Sequence, residues 1–337
     1  MIYADYQLQS HNTLNVKALA RYFVQLHSTD ELQHILADAC YQPLPKLILG
    51  GGSNILFTTD YPGLVIKNAL RGITLIQEND QHVWLNVGAG ELWHDLVLYC
   101  LKHHYAGIEN LSLIPGTVGA APIQNIGAYG VELESVFESL HATHLFTHEH
   151  ISFNKQDCRF GYRDSIFKNE CKSEYIITDV TLKLNKTPHI NISYGGIKNI
   201  LDKKNITHPS IHDVSEAIIE IRQQKLPDPK KLPNVGSFFK NPLVSQEHFQ
   251  QLQSQFPGIP HFLQPNGAMK IPAAWLIEQS GLKGFRQNGV GVSGNHALVI
   301  INYDNPEGNP VLEVAEHIQR TVQAKFGILI EPEVRIY

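Results

Sequence analysis

Residues 115–130 have the sequence PGTVGAAPIQNIGAYG, and none of these sixteen side chains carries a charge. Small residues let a backbone lie flat against a planar ligand, while Thr117, Gln124 and Asn125 offer neutral hydrogen bonds. A flavin ring fits a wall of this kind, polar at one edge and apolar elsewhere. A buried loop between domains has the same composition, so both hypotheses stay open for the run alone. The residues predicted to bind a cofactor here are Pro115, Gly116, Thr117, Gly119, Ala120, Gln124, Asn125, Gly127 and Ala128.

A second glycine-rich segment, LGGGSN at residues 49–54, follows an apolar stretch that predicts a buried strand. Consecutive glycines leave backbone amides open to a phosphate or pyrophosphate. The segment lacks the lysine of a P-loop and the GxGxxG spacing of a dinucleotide fingerprint. A tight structural turn is the alternative. The predicted cofactor-binding residues are Gly50, Gly51, Gly52, Ser53 and Asn54.

Apolar periodicity predicts an alternation of strands and helices, and therefore an α/β or α+β fold. Residues three and four apart predict helices at 14–26, 31–40 and 91–105. A further helix at 211–225 has Asp213 as its predicted cap and ends before Pro227. The polar stretch 184–205 is predicted to be a surface excursion, and residues 328–337 a terminal strand.

Composition excludes several classes of protein. The chain has 337 residues, 43% hydrophobic and 18% charged, which is enough for two or three domains with buried cores. A formal net charge of −5 disfavours nucleic-acid binding, which needs a basic face. We find no signal peptide and no run of 18 apolar residues, so we expect a cytoplasmic protein with no membrane span. Its four cysteines show no CxxC spacing and are predicted to be reduced, buried thiols.

Three other segments contain candidate reactive residues. Arg163, in FGYRDSIFK, has the guanidinium geometry that matches a carboxylate. Ser237, in GSFFKNP, lacks the context of an esterase nucleophile. In EPEVR, Glu331, Glu333 and Arg335 alternate, so a strand would point all three to one face. The histidine-rich stretch 141–150 lacks the cysteine or carboxylate set of a zinc site, and no metal is predicted.

Seven segments in this order resemble the UDP-N-acetylenolpyruvoylglucosamine reductase family over nearly the whole chain. They are NTLNVKALA (12–20), LGGGSNILF (49–57), IPGTVGAAPIQNIGAYG (114–130), FGYRDSIFK (160–168), KLPDP (225–229), GSFFKNP (236–242) and EPEVR (331–335). The resemblance implies an α+β fold, with a two-lobed FAD-binding domain of the vanillyl-alcohol-oxidase type before an α+β substrate-binding domain. The expected bounds are 1–68 for the first FAD lobe, 69–212 for the second lobe with a tyrosine-bearing loop, and 213–337 for the substrate domain.

The resemblance also implies the activity. Non-covalently bound FAD, reduced by NADPH, would reduce UDP-N-acetylglucosamine enolpyruvate to UDP-N-acetylmuramate for peptidoglycan synthesis, and hence for cell shape and division. Both ligands would use one site in turn, which explains the missing nicotinamide fingerprint. The implied catalytic residues are Arg163, Ser237 as proton donor, and Glu333. The implied substrate-binding residues are Tyr129, Tyr194, Lys225, Asn241 and Lys283, and His296 stands where the family has a glutamine.

Two rival hypotheses remain at this point. An oxidase on the same flavin scaffold would pass electrons to oxygen, and fold-level analogy does not exclude it. A nucleotide-binding module without catalysis would use only the glycine-rich segments. We expect a monomer whose partners are the sugar nucleotide and NADPH, with no nucleic acid and no membrane.

Overall fold

The segment at residues 19–26 is a β-strand, although its apolar spacing predicts a helix. The computed structural model describes residues 1–264 and 266–337. Ala20, Val24 and Leu26 are fully buried, and the strand pairs in parallel with Tyr61–Asn68. A spacing of four or six residues is also even, so these residues share one face of a strand. The helix predicted at 31–40 is confirmed as Thr29–Ala37, with the Ser28 side chain as its N-cap.

Short strands and helices follow one another along the whole chain. The strands are β1 Ile2–Gln7, β2 Leu19–Leu26, β3 Lys46–Leu49, β4 Ile55–Leu56, β5 Tyr61–Asn68, β6 Ile73–Glu78, β7 His82–Gly88, β8 Gly127–Ala128, β9 Val131–Glu132, β10 Phe137–His144, β11 His150–Asn154, β12 Tyr175–Asn185, β13 Asn234–Ser237, β14 Leu243–Val244, β15 Phe262–Leu263, β16 Met269–Lys270, β17 Arg286–Gln287, β18 Val290–Val292, β19 Val299–Asn302 and β20 Arg335–Ile336. The helices are α1 Thr29–Ala37, α2 Trp93–Lys102, α3 Lys155–Cys158, α4 Gly195–Lys203, α5 Ile211–Lys225, α6 Gln246–Gln255, α7 Ala273–Gln279 and α8 Asn309–Phe326.

The first of two compact units contains Met1–Tyr6, Ala20–Gly51 and Tyr61–Arg222. It has a four-stranded sheet in the order β1-β2-β5-β3 and a five-stranded sheet in the order β11-β10-β12-β7-β6. Helix α2 buries Trp93 and Leu96 in the same core cluster as the inward residues of β7. The Trp93 indole N–H donates to the Leu111 carbonyl oxygen at 3.0 Å, so this large ring is both packed and hydrogen-bonded.

The second unit contains Gln7–Leu19, Gly52–Asp60 and Gln223–Tyr337. Its main sheet has the order β13-β19-β18-β17, with a smaller sheet β14-β16-β15 and the parallel pair β20-β4. Residues 1–68, expected as one lobe, thus contribute to both units. The reason is hydrogen bonding: the Thr13 amide donates to Gly52 at 3.0 Å, and the Asn234 amide donates to Thr13 at 2.9 Å.

Helix α4 lies inside the stretch 184–205, where the polar composition predicts only a surface excursion. Its apolar side packs with α5 in one buried cluster that includes Ile197, Leu201, Val214 and Ile218. Three lysines among residues 198–204 made the segment look hydrophilic, but amphipathic helices bury one side only.

The predicted cap of α5 is also wrong, by three residues. The Ser210 hydroxyl accepts from the Asp213 amide at 3.3 Å, and the Asp213 carboxylate accepts from the Ser210 amide at 2.8 Å. Asp213 is therefore the acidic partner in a capping box that starts at Ser210.

The cysteines are all free thiols, but they are not all buried. Cys100 and Cys158 are buried as predicted, whereas Cys171 is partly exposed and Cys40 is exposed. In the described part of the chain, we find no helix that combines the length and the apolar character needed to cross a bilayer.

Asn302 gives a test of how the second unit holds its N-terminal segment. Its amide group donates to the Leu14 carbonyl oxygen at 2.8 Å and to the Asn305 carbonyl oxygen at 2.7 Å. Asn302→Ala leaves the fully buried Leu14 carbonyl unsatisfied, so we expect a loss of about 2–3 kcal/mol in the free energy of unfolding. Urea denaturation measures it, and Asn295→Ala, at an exposed asparagine, is the control. Equal stability of the two variants would contradict the role assigned to Asn302.

Candidate active site

The glycine loop at residues 50–54 presents unused amide groups. The amides of Gly51, Gly52 and Ser53 donate to no acceptor within residues 1–264 and 266–337. Lys67 donates from its ammonium to the Gly50 carbonyl oxygen, and burial lowers the pKa of this lysine, with a further lowering by Arg71. Free amides beside a cation are suited to a pyrophosphate.

The structure brings this loop against the uncharged run. A Cβ atom on Gly51 would lie 2.8 Å from the Cα atom of Gly116, and one on Gly50 would lie 2.6 Å from the Thr117 hydroxyl oxygen. Similarly, a Cβ on Gly119 would lie 2.5 Å from that of Ala89. These glycines are therefore required by contact between chain segments, a reason that the sequence alone did not supply.

Asn125 has a structural task within the run. Its backbone is left-handed (φ 43°), and its buried amide group donates to Glu132 at 2.9 Å and to the Gly161 carbonyl at 3.1 Å. Its side-chain oxygen accepts from the Glu134 amide at 3.0 Å. The protein itself therefore uses the hydrogen-bonding groups of this side chain. The predicted contact between Asn125 and a flavin stays a prediction.

Arg163 is held at the end of the same run. It lies in a tight turn in which Gly161 and Asp164 exchange two backbone hydrogen bonds of 3.1 Å, and its backbone is left-handed (φ 54°). Its guanidinium donates to the Gly127 carbonyl oxygen at 2.6 Å. Gly127 belongs to the predicted flavin wall, so the structure places the predicted carboxylate-binding residue beside that wall.

Tyr129 and Tyr194, two predicted substrate-binding residues, are in contact. Their rings pack edge to face with centroids 5.0 Å apart. Tyr129 is left-handed (φ 52°), and its hydroxyl is hydrogen-bonded to Arg222. Burial raises the pKa of Tyr129, and the charge of Arg222 opposes that rise. Tyr194, directly before α4, is 43% exposed.

In the second unit, Ser237 and Glu333 lie on adjoining backbone segments. Ser237 ends β13, where it pairs with Val299, and the Glu333 amide donates to the Phe238 carbonyl oxygen at 2.8 Å. The Asn54 side chain donates to the Glu333 carbonyl oxygen at 3.2 Å. Residues almost 100 positions apart in sequence thus meet within one unit.

The terminal segment is less regular than predicted. Only Arg335–Ile336 is a strand, and Pro332 forms an isolated bridge with Phe239, so the prediction of one strand over residues 328–337 is wrong. Proline lacks the amide that a continuous ladder needs. The Glu331 carboxylate instead pairs with Lys240 at 3.3 Å.

In this unit, the charges of Lys225 and Lys283, two predicted substrate-binding residues, act on His296. Burial lowers the pKa of His296, and the positive charges of Lys225 and Lys283 lower it further. His296 is therefore neutral at pH 7, and its Nδ1 accepts from the Leu298 amide at 3.3 Å. Lys283 pairs with Glu278 at 2.8 Å. The Asn241 side-chain oxygen accepts from the Ala273 amide at 2.9 Å, at the start of α7.

Sequence reasoning missed Lys67, Asn110 and Arg222. Asn110 is 1% exposed, and its amide group donates to the Tyr129 and Asn191 carbonyl oxygens, both at 3.0 Å. A buried asparagine that ties two distant segments has no local sequence signal. Arg222 could have been noticed, because it lies three residues before the KLPDP segment on the predicted helix.

The residues present in the first unit fit FAD better than they fit a metal ion. The unused Gly51 amide near Lys67 suits the pyrophosphate, and the uncharged run suits the ring. No group of three or more potential metal ligands occurs in the described part of the chain. In the histidine-rich stretch, His141 pairs with Asp179 at 2.7 Å and His150 with Gln33 at 2.7 Å.

Comparison with known proteins covers the whole chain. The sequence profile of the C-terminal domain of UDP-N-acetylenolpyruvoylglucosamine reductase matches residues 228–337, and that of an FAD binding domain matches residues 20–149. The chain is 51% identical to the UDP-N-acetylenolpyruvoylglucosamine reductase of Amoebophilus asiaticus, over 98% of this chain and 97% of the relative. It is 47% identical to that of Flavobacterium johnsoniae, over 99% of each.

A solved structure has the same fold. The UDP-N-acetylenolpyruvylglucosamine reductase of Thermus caldophilus superposes with a TM-score of 0.70 at 24% identity, over 100% of this chain and 98% of that one. With the FAD-domain profile, this similarity confirms the predicted fold class: a two-lobed FAD-binding domain of the vanillyl-alcohol-oxidase type followed by an α+β domain. Two relatives that match nearly the whole chain at more than 45% identity show the family as well as the fold: this chain belongs to the UDP-N-acetylenolpyruvoylglucosamine reductase family.

Proposed function

We propose that the chain reduces UDP-N-acetylglucosamine enolpyruvate to UDP-N-acetylmuramate, with NADPH as the source of electrons. FAD, when bound, supplies the hydride that adds to the terminal carbon of the enolpyruvyl group. The observation that carries the proposal is the joining of Ser237 and Glu333 by the Phe238–Glu333 hydrogen bond. This hydrogen bond holds the backbone segments of the proposed proton donor and the proposed carboxyl group next to each other, which supports the proposal in a chain of this family.

Each catalytic residue has a distinct task in this proposal. Hydride addition builds negative charge on the carbon next to the carboxylate, and a cation lowers the energy of that charge. Arg163 supplies the cation, and its hydrogen bond to Gly127 holds it beside the wall that receives the flavin ring. Ser237 delivers a proton to the same carbon as general acid. Glu333, in its protonated form or through a bridging water, donates a hydrogen bond to the developing enolate.

The alkoxide of Ser237 needs stabilisation, and the structure narrows the candidates. Lys240 is engaged with Glu331 at 3.3 Å, and this side chain of Glu331 is largely exposed. In the GSFFKNP turn, the amides of Gly236, Phe238 and Lys240 already donate to Asn234, Leu298 and Glu331, so we assign the stabilisation to the other amides of the turn. Its Gly236 is left-handed (φ 70°), a conformation that glycine adopts without strain.

The diphosphate is assigned to the cationic cluster of the second unit. The charges of Lys225 and Lys283 both act on His296, so a dianion bound there would meet Lys225, Lys283 in its pair with Glu278, and a ring N–H. His296 carries its proton on Nε2, because its Nδ1 accepts a hydrogen bond, and Nε2 can donate as the amide of a glutamine would. NADPH and the sugar nucleotide both contain a diphosphate, which supports alternating use of one site.

The proposal also includes the role of each domain, the oligomeric state and the cellular location. Residues 1–68 and 69–212 would form the FAD lobes, with α4 and Tyr194 as a lid, and residues 213–337 the substrate domain. We place a monomeric enzyme in the cytoplasm, where its product enters the cell wall and so supports cell shape and division. It needs no nucleic-acid or membrane partner.

Absorbance of the purified protein tests the proposal directly. We expect a yellow protein whose flavin is released into solution by acid, is bleached by NADPH without oxygen, and regains its colour when the enolpyruvyl sugar nucleotide is added. Rapid recovery on oxygen alone, with no response to the sugar nucleotide, would instead indicate an oxidase.

Ser237→Ala should separate the two half-reactions. A residue that protonates substrate carbon has no task while NADPH reduces the flavin, so bleaching should proceed at nearly the normal rate. Reoxidation by the enolpyruvyl sugar should slow by roughly 10²–10⁴-fold, the usual contribution of general acid catalysis. Substrate affinity should change little, because the lost interaction belongs to the transition state.

Stopped-flow absorbance at the flavin band measures both steps, with Ser254→Ala, an exposed serine of the same unit, as control. If Ser237 only packs its turn, both steps will slow equally or neither will. Either result would show that Ser237 is not the proton donor.

Tyr194→Phe tests the lid. The ring contact with Tyr129 is kept, and only the hydroxyl of this exposed residue is lost. We expect KM for the sugar nucleotide to rise about three- to tenfold, the worth of one hydrogen bond, with a smaller change in kcat. Steady-state kinetics measure it, with Tyr3→Phe, at another exposed tyrosine, as control. Unchanged kinetics for both substrates would contradict the lid.

A further inference from the structure

The residues around the start of α2 hold the beginning of the uncharged run. The Trp93 indole N–H donates to the Leu111 carbonyl oxygen, and the Trp93 amide donates to the Gly116 carbonyl oxygen at 3.1 Å. The Val118 amide donates to the Glu91 carbonyl oxygen at 2.8 Å. All three of these bonds join neutral groups, so they hold the two segments together at any pH at which the protein is folded.

A further bond between the same segments ends on a titratable side chain. The Leu113 amide donates to His94 Nδ1 at 3.0 Å, and the Leu113 carbonyl oxygen accepts from Arg222 Nε at 3.2 Å. Leu113 lies two residues before Pro115, where the uncharged run begins, and its backbone is left-handed (φ 57°). This conformation costs a residue with a Cβ atom about 1 kcal/mol, and it persists only where surrounding contacts hold it. His94 and Arg222 hold it from its two sides.

The bond from Leu113 requires a neutral His94 ring. A backbone amide can only donate, so Nδ1 must carry no proton. Burial lowers the pKa of His94, the carboxylate of Asp95 opposes this, and the positive charge of Arg222 on α5 lowers it further. The ring is therefore neutral at pH 7. A proton on Nδ1 would replace the acceptor by a donor that faces the Leu113 amide, and it would add a positive charge near Arg222.

We propose that His94 is a positioning residue for FAD, because its neutral ring holds Leu113 in the turn that sets residues 115–118 against the flavin. The inference rests on the placement of the flavin against the uncharged run, which belongs to the proposed function. It adds a residue that neither the sequence nor the family resemblance assigned. When His94 takes up a proton, the turn loses one of its two holding side chains, and FAD should bind more weakly.

The competing explanation is that His94 only packs at the start of α2. Two substitutions separate the explanations. His94→Asn keeps an acceptor, since Oδ1 takes the place of Nδ1, and this oxygen is not protonated in the pH range of histidine. His94→Phe keeps a ring but has no acceptor. His104→Asn is the matched control, because His104 is an exposed histidine just beyond the other end of the same helix, with a left-handed backbone (φ 59°) that asparagine tolerates.

The experiment measures the dissociation constant of FAD from the full-length protein between pH 5 and pH 8, by flavin fluorescence. For the wild type we expect a constant value from pH 8 to pH 7 and a rise of about tenfold by pH 5, the worth of one hydrogen bond. The rise occurs on the acidic side because the neutral ring is the form that holds the turn. His104→Asn should follow the wild type.

The two variants at position 94 should lose the pH dependence in different ways. We expect His94→Asn to bind FAD within about threefold of the wild type at pH 7 and to keep that affinity down to pH 5. His94→Phe should bind FAD at pH 7 about as weakly as the wild type does at pH 5, with little further change. If His94→Phe does not fold, the pH profiles of the wild type and His94→Asn decide.

Three results would overturn the proposal: a wild type without pH dependence, a wild-type pH profile in His94→Asn, or wild-type affinity in His94→Phe at pH 7. A packing role alone predicts the last of these together with a lower stability of His94→Phe towards urea. Failure of the proposed function looks different, since FAD would then bind but the reduced flavin would not be reoxidised by the enolpyruvyl sugar nucleotide.

Discussion

The close approach of Gly51 and Gly116 is the constraint on which the first unit depends. No side chain fits between the two backbones, since a Cβ on Gly51 would lie 2.8 Å from the Gly116 Cα atom. This contact brings a loop with free amides against the start of an uncharged wall. From the wall, hydrogen bonds lead outward to Arg163 through Gly127, and to Tyr129 and the tyrosine-bearing segment through Asn110. A larger residue at position 51 would push Gly51 away from the start of the uncharged run.

In the second unit, backbone hydrogen bonds hold together two segments from distant parts of the chain, those of Ser237 and Glu333, for which we propose catalytic roles. The Phe238–Glu333 hydrogen bond and the parallel pair β20-β4 fix the terminal segment, and Asn54 adds a bond to the Glu333 carbonyl. Ser237 and Glu333 therefore depend on backbone pairing more than on side-chain packing. This suits groups that must stay accessible to a ligand.

Sequence patterns predicted the parts of the fold that are locally encoded. Helix α2 and the strand before the glycine loop both follow from periodicity and turn chemistry. The errors arose where tertiary contacts decide. Strand β2 has even-spaced apolar residues that also fit a helix, and α4 is stabilised by packing against α5 despite its lysines. The site residues came from ordered segments resembling a family, whereas Asn110 and Arg222 act through contacts across 19 to 109 positions, which no local pattern encodes.

Three bulky residues around the first unit's site, Leu113, Tyr129 and Arg163, keep a left-handed backbone that glycine would adopt freely. Each such residue costs about 1 kcal/mol, so together they remove about 3 kcal/mol from a stability that is typically only about 5–15 kcal/mol. Substituting glycine at these three positions would relieve the strain and raise the stability of the enzyme. It would also remove the side chains and the fixed turns at the site. Selection for heat resistance alone would relax the turns that hold Tyr129 and Arg163, and if these residues have the roles proposed for them, a higher melting temperature would come with slower turnover.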